Sequence, residues 1–277
     1  MTTLTPAQES IDKLIKQGEL EQALNQIQDV VRNAPSYPPH RVVLIQLLLA
    51  LGQWDRAEKQ LQQLEQTDRE YTRFCQTYLG ALRGERQRLA VFQGDAAPQM
   101  GDEPPQWLVM QINAFLMERT KAHRAAVTER QHAAESAPAV RGEVDGTPFE
   151  WLADADPRLG PVVEAMLDGQ YHWLQQSDIR QIDFFATQTL MDLIWRQATI
   201  TTHDGVAHPA LIPARYPESP NADARYALCR ATDWLNVGSD GWQGIGQRVL
   251  GTEEAEYGLL DIKLIRFENN KQTGDTE

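Results

Sequence analysis

Gly18-Glu19-Leu20-Glu21-Gln22-Ala23 returns along the chain as Gly52-Gln53-Trp54-Asp55-Arg56-Ala57, at an offset of 34 residues. Both stretches read Gly-x-(apolar)-x-x-Ala: the glycine relaxes a turn and the small alanine lets paired helices approach closely. At the same offset Leu14 meets Leu48, Ile27 meets Leu61 and Val30 meets Leu64, so the core positions of two helices recur together with the turn between them. A unit that repeats in this way stacks on its own copy and grows as a solenoid. The periodicity predicts helices over about 7–17, 20–33, 38–51, 54–67 and 70–92.

Thirty-four residues is the tetratricopeptide period. Pro35 stands where such a unit closes its second helix, although the equivalent Arg69 does not follow that rule. The stretch from Pro38 to Leu51 is apolar around most of its circumference, as a central helix covered on two sides should be. As core, that pattern needs no further explanation. As a binding element, the concave wall of a solenoid offers an apolar groove to a guest helix, and the residues expected there are His40, Arg41, Leu44, Leu48, Trp54, Tyr71 and Tyr78.

Residues 95–105 have the Pro, Gly and Asp content of a loop. Trp107, Leu108, Ile112, Phe115 and Leu116 then recur at helical spacing, with alanines continuing one long helix to Ala134. Glu135 to Gly142 reads as a boundary between a helical domain, 1–135, and a second domain, 143–270. There the period changes. Asp145-Gly146 and Asp204-Gly205 are hairpin signals, the latter joining Thr199–Thr202 to Ala210–Ile212, and Leu260, Ile262 and Leu264 alternate with polar residues as in a half-buried strand. Asp156 before Pro157 suggests a helix start, with Pro161 as the alternative start and Gly169 as the end, and Cys229 is placed in a strand. The expected fold class is a multidomain α and α+β chain: a tetratricopeptide-like solenoid followed by a mostly antiparallel α+β domain.

Composition narrows the function classes. A chain of 277 residues can bury one large or two modest cores, and 42% hydrophobic with 23% charged residues argues for a folded protein over a disordered one. Met1 to Ser10 does not read as a secretory signal, and Val42 to Leu51 falls far short of the roughly 20 apolar residues of a membrane span, so a cytoplasmic protein without a membrane partner is expected. Cys75 and Cys229 form no Cys-x-x-Cys pair and read as two buried thiols or one disulfide. Residues 1–100 carry 11 Lys and Arg against 12 Asp and Glu, leaving 15 against 27 for the remainder, so the acidity lies in the second half. Such a surface repels a phosphate backbone and argues against nucleic acid. Arg83, Arg86 and Arg88, with Glu85 among them, read as a solvated helix end.

No chemical motif survives its context. Gly241-Trp242-Gln243-Gly244-Ile245-Gly246 has Val249 where a dinucleotide loop needs its third glycine, and turn glycines explain it better. Asp154, Asp156, Glu164, Asp168 and His172 form an acidic strip without any recognised ligand spacing, so no metal is expected. His203 and His208 flank a hairpin turn, and Ser177, Ser219, Ser239 and Cys229 lack the setting of a nucleophile. What remains are aromatics and arginines, among them Trp151, Tyr171, Trp173, Trp195, Arg215, Tyr216, Trp234, Trp242 and Arg248, which serve as core or as contact surface. The contact-surface candidates are Trp151, Asp154, Asp156, Arg158, Arg215, Tyr216, Trp234 and Arg248.

Phe149-Glu150-Trp151-Leu152-Ala153-Asp154-Ala155-Asp156-Pro157-Arg158-Leu159-Gly160-Pro161 resembles the signature of the ImpE/TagJ family of type VI secretion accessory proteins. Gly169-Gln170-Tyr171-His172-Trp173, Asp192-Leu193-Ile194-Trp195, Pro213-Ala214-Arg215-Tyr216-Pro217, Thr232-Asp233-Trp234 and Gly246-Gln247-Arg248 are similar to its later motifs, in the same order. His172 and Leu174 depart from the tyrosine-like and valine-like residues of that pattern, and residues 221–226 are irregular. The resemblance implies a tetratricopeptide-like front half, an α+β back half, no catalytic residues and no cofactor. It also implies partners: the small subunit of a contractile sheath and, through it, a ClpV-type ATPase that recycles sheaths. The expected function is a non-enzymatic adaptor. The alternatives are a metal-dependent hydrolase using the acidic strip and a generic tetratricopeptide co-chaperone.

Overall fold

The structure, a computed structural model, describes residues 6–237 and 241–269. Among the described residues seven helices come first: α1 (Pro6–Gln17), α2 (Leu20–Asn33), α3 (Pro38–Ala50), α4 (Trp54–Thr67), α5 (Thr72–Phe92), α6 (Gln106–Arg119) and α7 (His123–Ser136). The first five fall where the repeat places them. Gly18 and Gly52, at φ +84° and +67°, make the two equivalent interhelix turns. Ala23 and Ala57 are fully buried where paired helices meet. The single long helix expected from Trp107 to Ala134 is instead two, α6 and α7. Lys121 takes a left-handed backbone (φ +62°) and its N–H bonds Glu118 O at 2.8 Å, closing α6 so that α7 folds back antiparallel. The alanine stripe extends across this break because both helices present it to the same seam.

Among the described residues thirteen strands follow: β1 (Gly142–Val144), β2 (Thr147–Phe149), β3 (Ala153–Asp154), β4 (Val162–Leu167), β5 (Gln170–Gln175), β6 (Ile179–Phe184), β7 (Trp195–Thr202), β8 (Ala207–Pro213), β9 (Thr232–Asn236), β10 (Trp242–Gly246), β11 (Val249–Gly251), β12 (Glu256–Gly258) and β13 (Leu264–Phe267). Eight form one antiparallel sheet in the order β2-β1-β13-β6-β7-β8-β4-β5. β9 and β10 form a hairpin, and β12-β11-β3 form a small third sheet. The mixed helical and antiparallel fold class is thus as the sequence indicates.

Several local readings change. The helix expected between Asp156 and Gly169 is a β-hairpin: β4 and β5 pair from Val162↔Gln175 to Leu167↔Gln170, turning at Asp168 (φ +50°) and Gly169 (φ +75°). Gly169 is left-handed, as expected, but as the second residue of a primed turn rather than a helix end. Pro157 and Pro161 lie in a turn in which the N–H groups of Leu159 and Gly160 donate to Asp156 O. Asp145-Gly146 turns the β1–β2 hairpin with both φ values positive, while only Gly205 is left-handed in the longer β7–β8 loop. The last strand begins at Leu264, so Leu260 and Ile262 precede it. Cys229 follows a short helical turn, α8 (Ala224–Ala227), and is not in a strand.

The sheet is covered on both faces. Along β4, Val162 and Met166 belong to the core shared with the solenoid, while Ala165, Val163 and Leu167 belong to the core of the opposite face. The solenoid core therefore runs without interruption from Ile11, Leu24 and Leu48 into Trp173, Trp195 and Leu228. Close contact depends on Gly84 of α5, where a Cβ would stand 2.3 Å from Met166 Sδ. The outer edge of β5 is protected by the loop before α6: Gln99 N–H donates to Tyr171 O at 2.8 Å and Trp173 N–H to Gln99 O at 2.9 Å.

Candidate functional site

The charged residues that stand out in the sequence converge at the seam between α5 and the sheet, and they are buried. Glu164 on β4 is fully buried; Arg88 of α5 donates to it through Nε (2.7 Å) and Nη2 (2.8 Å), and Arg248 approaches at 3.0 Å. Tyr171 OH donates to the same carboxylate at 2.6 Å and in turn accepts Trp173 Nε1–H at 2.7 Å. Arg248 also donates to Asp154 at 2.9 Å, which accepts Tyr216 OH at 2.9 Å and the Asp156 N–H at 2.8 Å. Asp156 accepts Arg158 Nη2 at 2.7 Å and Gly244 N–H at 2.9 Å. Arg158 bridges on to Glu218 at 2.8 Å. Gly244 allows this approach because any Cβ there would lie 2.4 Å from the Tyr216 ring. Of the glycines in residues 241–246, Gly244 and Gly246 are strand positions in β10, while Gly241, at φ +113°, precedes it.

Two further links join the halves. Trp195 Nε1–H donates to Glu85 Oε2 at 2.8 Å. Arg215, buried by the Trp54 ring, donates to Ala50 O (2.8 Å), Leu49 O (3.0 Å) and Ala227 O (2.8 Å). The first two carbonyls lie in the last turn of α3, Leu49 O also accepting the Gly52 N–H at 3.1 Å, so the guanidinium caps that helix end and meets its negative pole. Arg88 is thus not part of a solvated helix end as its neighbours Arg83 and Arg86 suggest; Arg86 pairs with Asp55 and Glu58 at the surface.

Burial and charge set the titration of these groups. Burial alone would raise the Glu164 pKa, but Arg88 and Arg248 together outweigh it and hold it below its ordinary value. Burial pushes Asp154 up to about 6 against the pull of Arg248, with Asp156 adding to the rise. Burial brings Arg215 down to about 10 and drives the Cys229 thiol up to about 12 and the Cys75 thiol to about 11. Both cysteines are free and buried, so neither is poised as a nucleophile. Asp154 yields a pH prediction. Between its unfolded value of 3.8 and about 6 the folded state holds a proton that the unfolded chain has released, so this group's contribution to stability falls as pH rises through that window. In urea titrations at several pH values, the stability of the wild type relative to Asp154→Asn should fall from pH 4 to pH 6; a rise would contradict it.

The contact-surface candidates divide sharply. Asp154, Asp156, Arg158, Arg215, Tyr216 and Arg248 are each at most 5% exposed, while Trp151 is exposed and Trp234 half-buried against Tyr216. On the solenoid, Leu44, Leu48 and Tyr78 are core, and Trp54 and Tyr78 pack on Trp195 at ring-centroid distances of 6.1 and 6.4 Å. Tyr71 is half-buried beside Phe74, and His40 lies edge-on to Tyr37 at 4.5 Å. The apolar surface of α3 expected to receive a guest is largely filled by the chain's own segment Leu190–Leu193 and by Trp195. Arg41 remains beside an open groove between α2 and α4.

The acidic strip is not a metal cradle. Asp154, Asp156 and Glu164 are engaged by arginines, Asp168 sits in the hairpin turn, and among the described residues no three His, Cys, Asp or Glu side chains gather as a metal-holding group. Ser219 Oγ is held between Gly246 N–H and Gly246 O, Ser177 is half-buried on the 3-10 turn before β6, and Ser239 lies outside the described residues. One feature escaped sequence reasoning: a cleft of about 760 Å³ between the α6–α7 pair and the β9–β10 hairpin, lined by Gln111, Arg130, Pro157, Trp234 and Trp242. Its only sequence signal is the pair of tryptophans at equivalent sides of a hairpin.

No helix among the described residues is long and apolar enough to cross a membrane. Residues 146–266 match the family model described as ImpE protein, and residues 14–74 match a tetratricopeptide repeat model. The crystal structure of protein VPA1032 from Vibrio parahaemolyticus superposes with a TM-score of 0.86 at 20% identity, over 94% of this chain and 97% of that one, which shows a shared fold. The type VI secretion system accessory component TagJ of Pseudomonas aeruginosa is 38% identical over 258 residues, 93% of this chain and 90% of that protein. The helical repeat, the sheet it is welded to and this identity along nearly the whole length agree: the chain belongs to the ImpE/TagJ family of type VI secretion accessory proteins.

Proposed function

We propose that the chain is a non-enzymatic cytoplasmic adaptor that binds the small contractile-sheath subunit of a type VI secretion system and assists sheath recycling by a ClpV-type ATPase. The observation that carries this reading is the 38% identity with a type VI accessory component across 93% of the chain. The interior supports it. The carboxylates that a hydrolase would need are neutralised by buried arginines, and a carboxylate so engaged is a poor general base. A generic co-chaperone reading has less support, since the solenoid is fused through one continuous core to a sheet that co-chaperone activity does not require.

Capture by the tagged full chain tests the proposal. The purified small sheath subunit should bind directly, and the ATPase should be retained only when that subunit is present. Retention of the ATPase alone, or of neither protein, would overturn the assignment of partners.

A further inference from the structure

The β9–β10 hairpin stands apart from the eight-stranded sheet, and its register sets two tryptophans on one face. Gly244 is opposite Trp234 and Asn236 is opposite Trp242, so the two indoles are diagonal neighbours, attached about 7–8 Å apart. That spacing admits one planar group between them, in van der Waals contact at roughly 3.5 Å on either side. Tyr216 backs Trp234 at a ring-centroid distance of 5.8 Å. Trp242 is 54% exposed and makes no ring or cation contact among the described residues. Both tryptophans line the cleft of about 760 Å³ that faces the α6–α7 pair.

The charges of the cleft point to a cation. Glu256 lines it, is exposed, and forms no ion pair among the described residues. Glu118 of α6 lines it as well and meets Arg130 of α7 through one oxygen at 2.5 Å. The two arginines of the cleft are answered from within the chain. Arg158 pairs with Asp156 and Glu218. Arg130 is 7% exposed; its Nε and Nη2 are buried and its guanidinium lies over the Phe115 ring at 5.0 Å, so these donors are not offered to a guest. Residues 101–277 carry 15 Lys and Arg against 27 Asp and Glu, and a field of that sign draws positive charge toward the cleft. Elsewhere the fold sets arginine on aromatic faces, Arg215 over Trp54 at 5.9 Å and Arg158 over Phe92 at 4.9 Å, and Trp242 presents such a face uncovered.

We propose that this cleft is the docking site for an arginine-bearing extended segment of a protein partner, one guanidinium lying between Trp234 and Trp242 and pairing with Glu256. Arginine suits the slot better than lysine, because its planar and weakly hydrated head stacks on indole while its edge still donates to a carboxylate. An extended segment suits it because alternate side chains share a face, so a second arginine two positions on reaches toward Glu118. The proposal goes beyond the adaptor reading and does not rest on it, since the cleft lies on the second half of the chain and is argued from its own residues.

The test uses the full chain and three labelled seven-residue peptides in which serine alternates with arginine, with citrulline, the uncharged analogue of arginine, or with glutamate. Fluorescence anisotropy should show binding of the arginine peptide, weakening as salt rises, and binding about tenfold weaker or absent for the other two. Trp242→Ala should weaken the arginine peptide by about tenfold, and Trp242→Phe by less, because a phenyl ring keeps a smaller face for the cation. The phenylalanine variant keeps the test decisive if the alanine variant fails to fold. Glu256→Gln should weaken the same peptide by about threefold. Glu21→Gln, an equal loss of charge at an exposed position on α2, should leave it unchanged. No binding of the arginine peptide, equal binding of the citrulline peptide, or wild-type affinity in the folded Trp242 variants overturns the proposal. An equal loss with Glu21→Gln and Glu256→Gln does so too, because it would mean that overall charge and not the cleft holds the peptide.

Discussion

Replacing Glu164 by alanine is expected to destabilise the fold by about 3–5 kcal/mol, because it leaves two buried guanidinium groups facing an emptied site. Arg88 and Arg248 are 1% and 2% exposed, so water cannot replace the lost carboxylate. Arg88 would retain Glu85 at 3.3 Å and Arg248 would retain Asp154 at 2.9 Å, which limits the loss to that range. Tyr171 OH would also lose its acceptor, and through it the Trp173 N–H would lose part of its support. Glu164→Gln should cost less, since one oxygen still accepts while the charge is gone. Urea titration reads the difference as a shift of midpoint at similar slope. The wild-type carboxylate contributes stability above its unfolded value, a contribution lost as pH falls through its depressed folded pKa, so the gap between wild type and Glu164→Ala should narrow in acid. A loss below about 1 kcal/mol would mean that the network is replaceable by packing alone.

Trp195→Ala is expected to cost a similar amount, about 3–5 kcal/mol, by a different route. The indole is fully buried between Trp54 of α4 and Tyr78 of α5, and its N–H satisfies Glu85. Removing it opens a cavity where the solenoid meets β7 and strips a donor from a buried carboxylate. The consequence should be uneven along the chain. The β7–β8 pairing does not depend on the indole, whereas the attachment of α4 and α5 to the sheet does. Trp195→Phe should recover most of the packing and none of the hydrogen bond. Limited proteolysis should then reveal cleavage in residues 137–141, the connection between α7 and β1, in the alanine variant before the phenylalanine one. Equal resistance of both variants and wild type would show that other contacts alone hold the halves together.

Both expectations follow from one property of this fold: its arginine-rich and tryptophan-rich motifs act between the halves. The sequence placed Asp154, Asp156, Arg158, Arg215, Tyr216 and Arg248 among the contact-surface candidates, within a set of aromatics and arginines that serve either as core or as binding hot spots. In the folded chain they compensate one another inside. No local pattern reveals such pairing, since Arg88 and Glu164 are 76 positions apart and Arg215 and Leu49 are 166 apart. The seven solenoid candidates show the converse. The apolar or aromatic character of Leu44, Leu48, Trp54, Tyr71 and Tyr78 was legible, but that Trp54 and Tyr78 meet the chain's own Trp195 depends on where the second half folds back.

The sequence by itself determined the elements whose causes are local. The repeat from Gly18 to Gly52 marked five helices and their turns, because helical periodicity and left-handed glycines act within a few residues. Asp145-Gly146 specified its hairpin for the same reason. Residues 157–169 were beyond its reach: a proline followed by a terminal glycine fits a capped helix or a loop and primed turn equally well, and only pairing of β4 with β5 and packing under α5 select the strand. The break at Lys121 was likewise decided by the seam that α6 and α7 share. Tertiary structure alone decided that the most conspicuous charges are buried, because a carboxylate or guanidinium enters a core only when its counter-charge, supplied from a distant part of the chain, arrives with it.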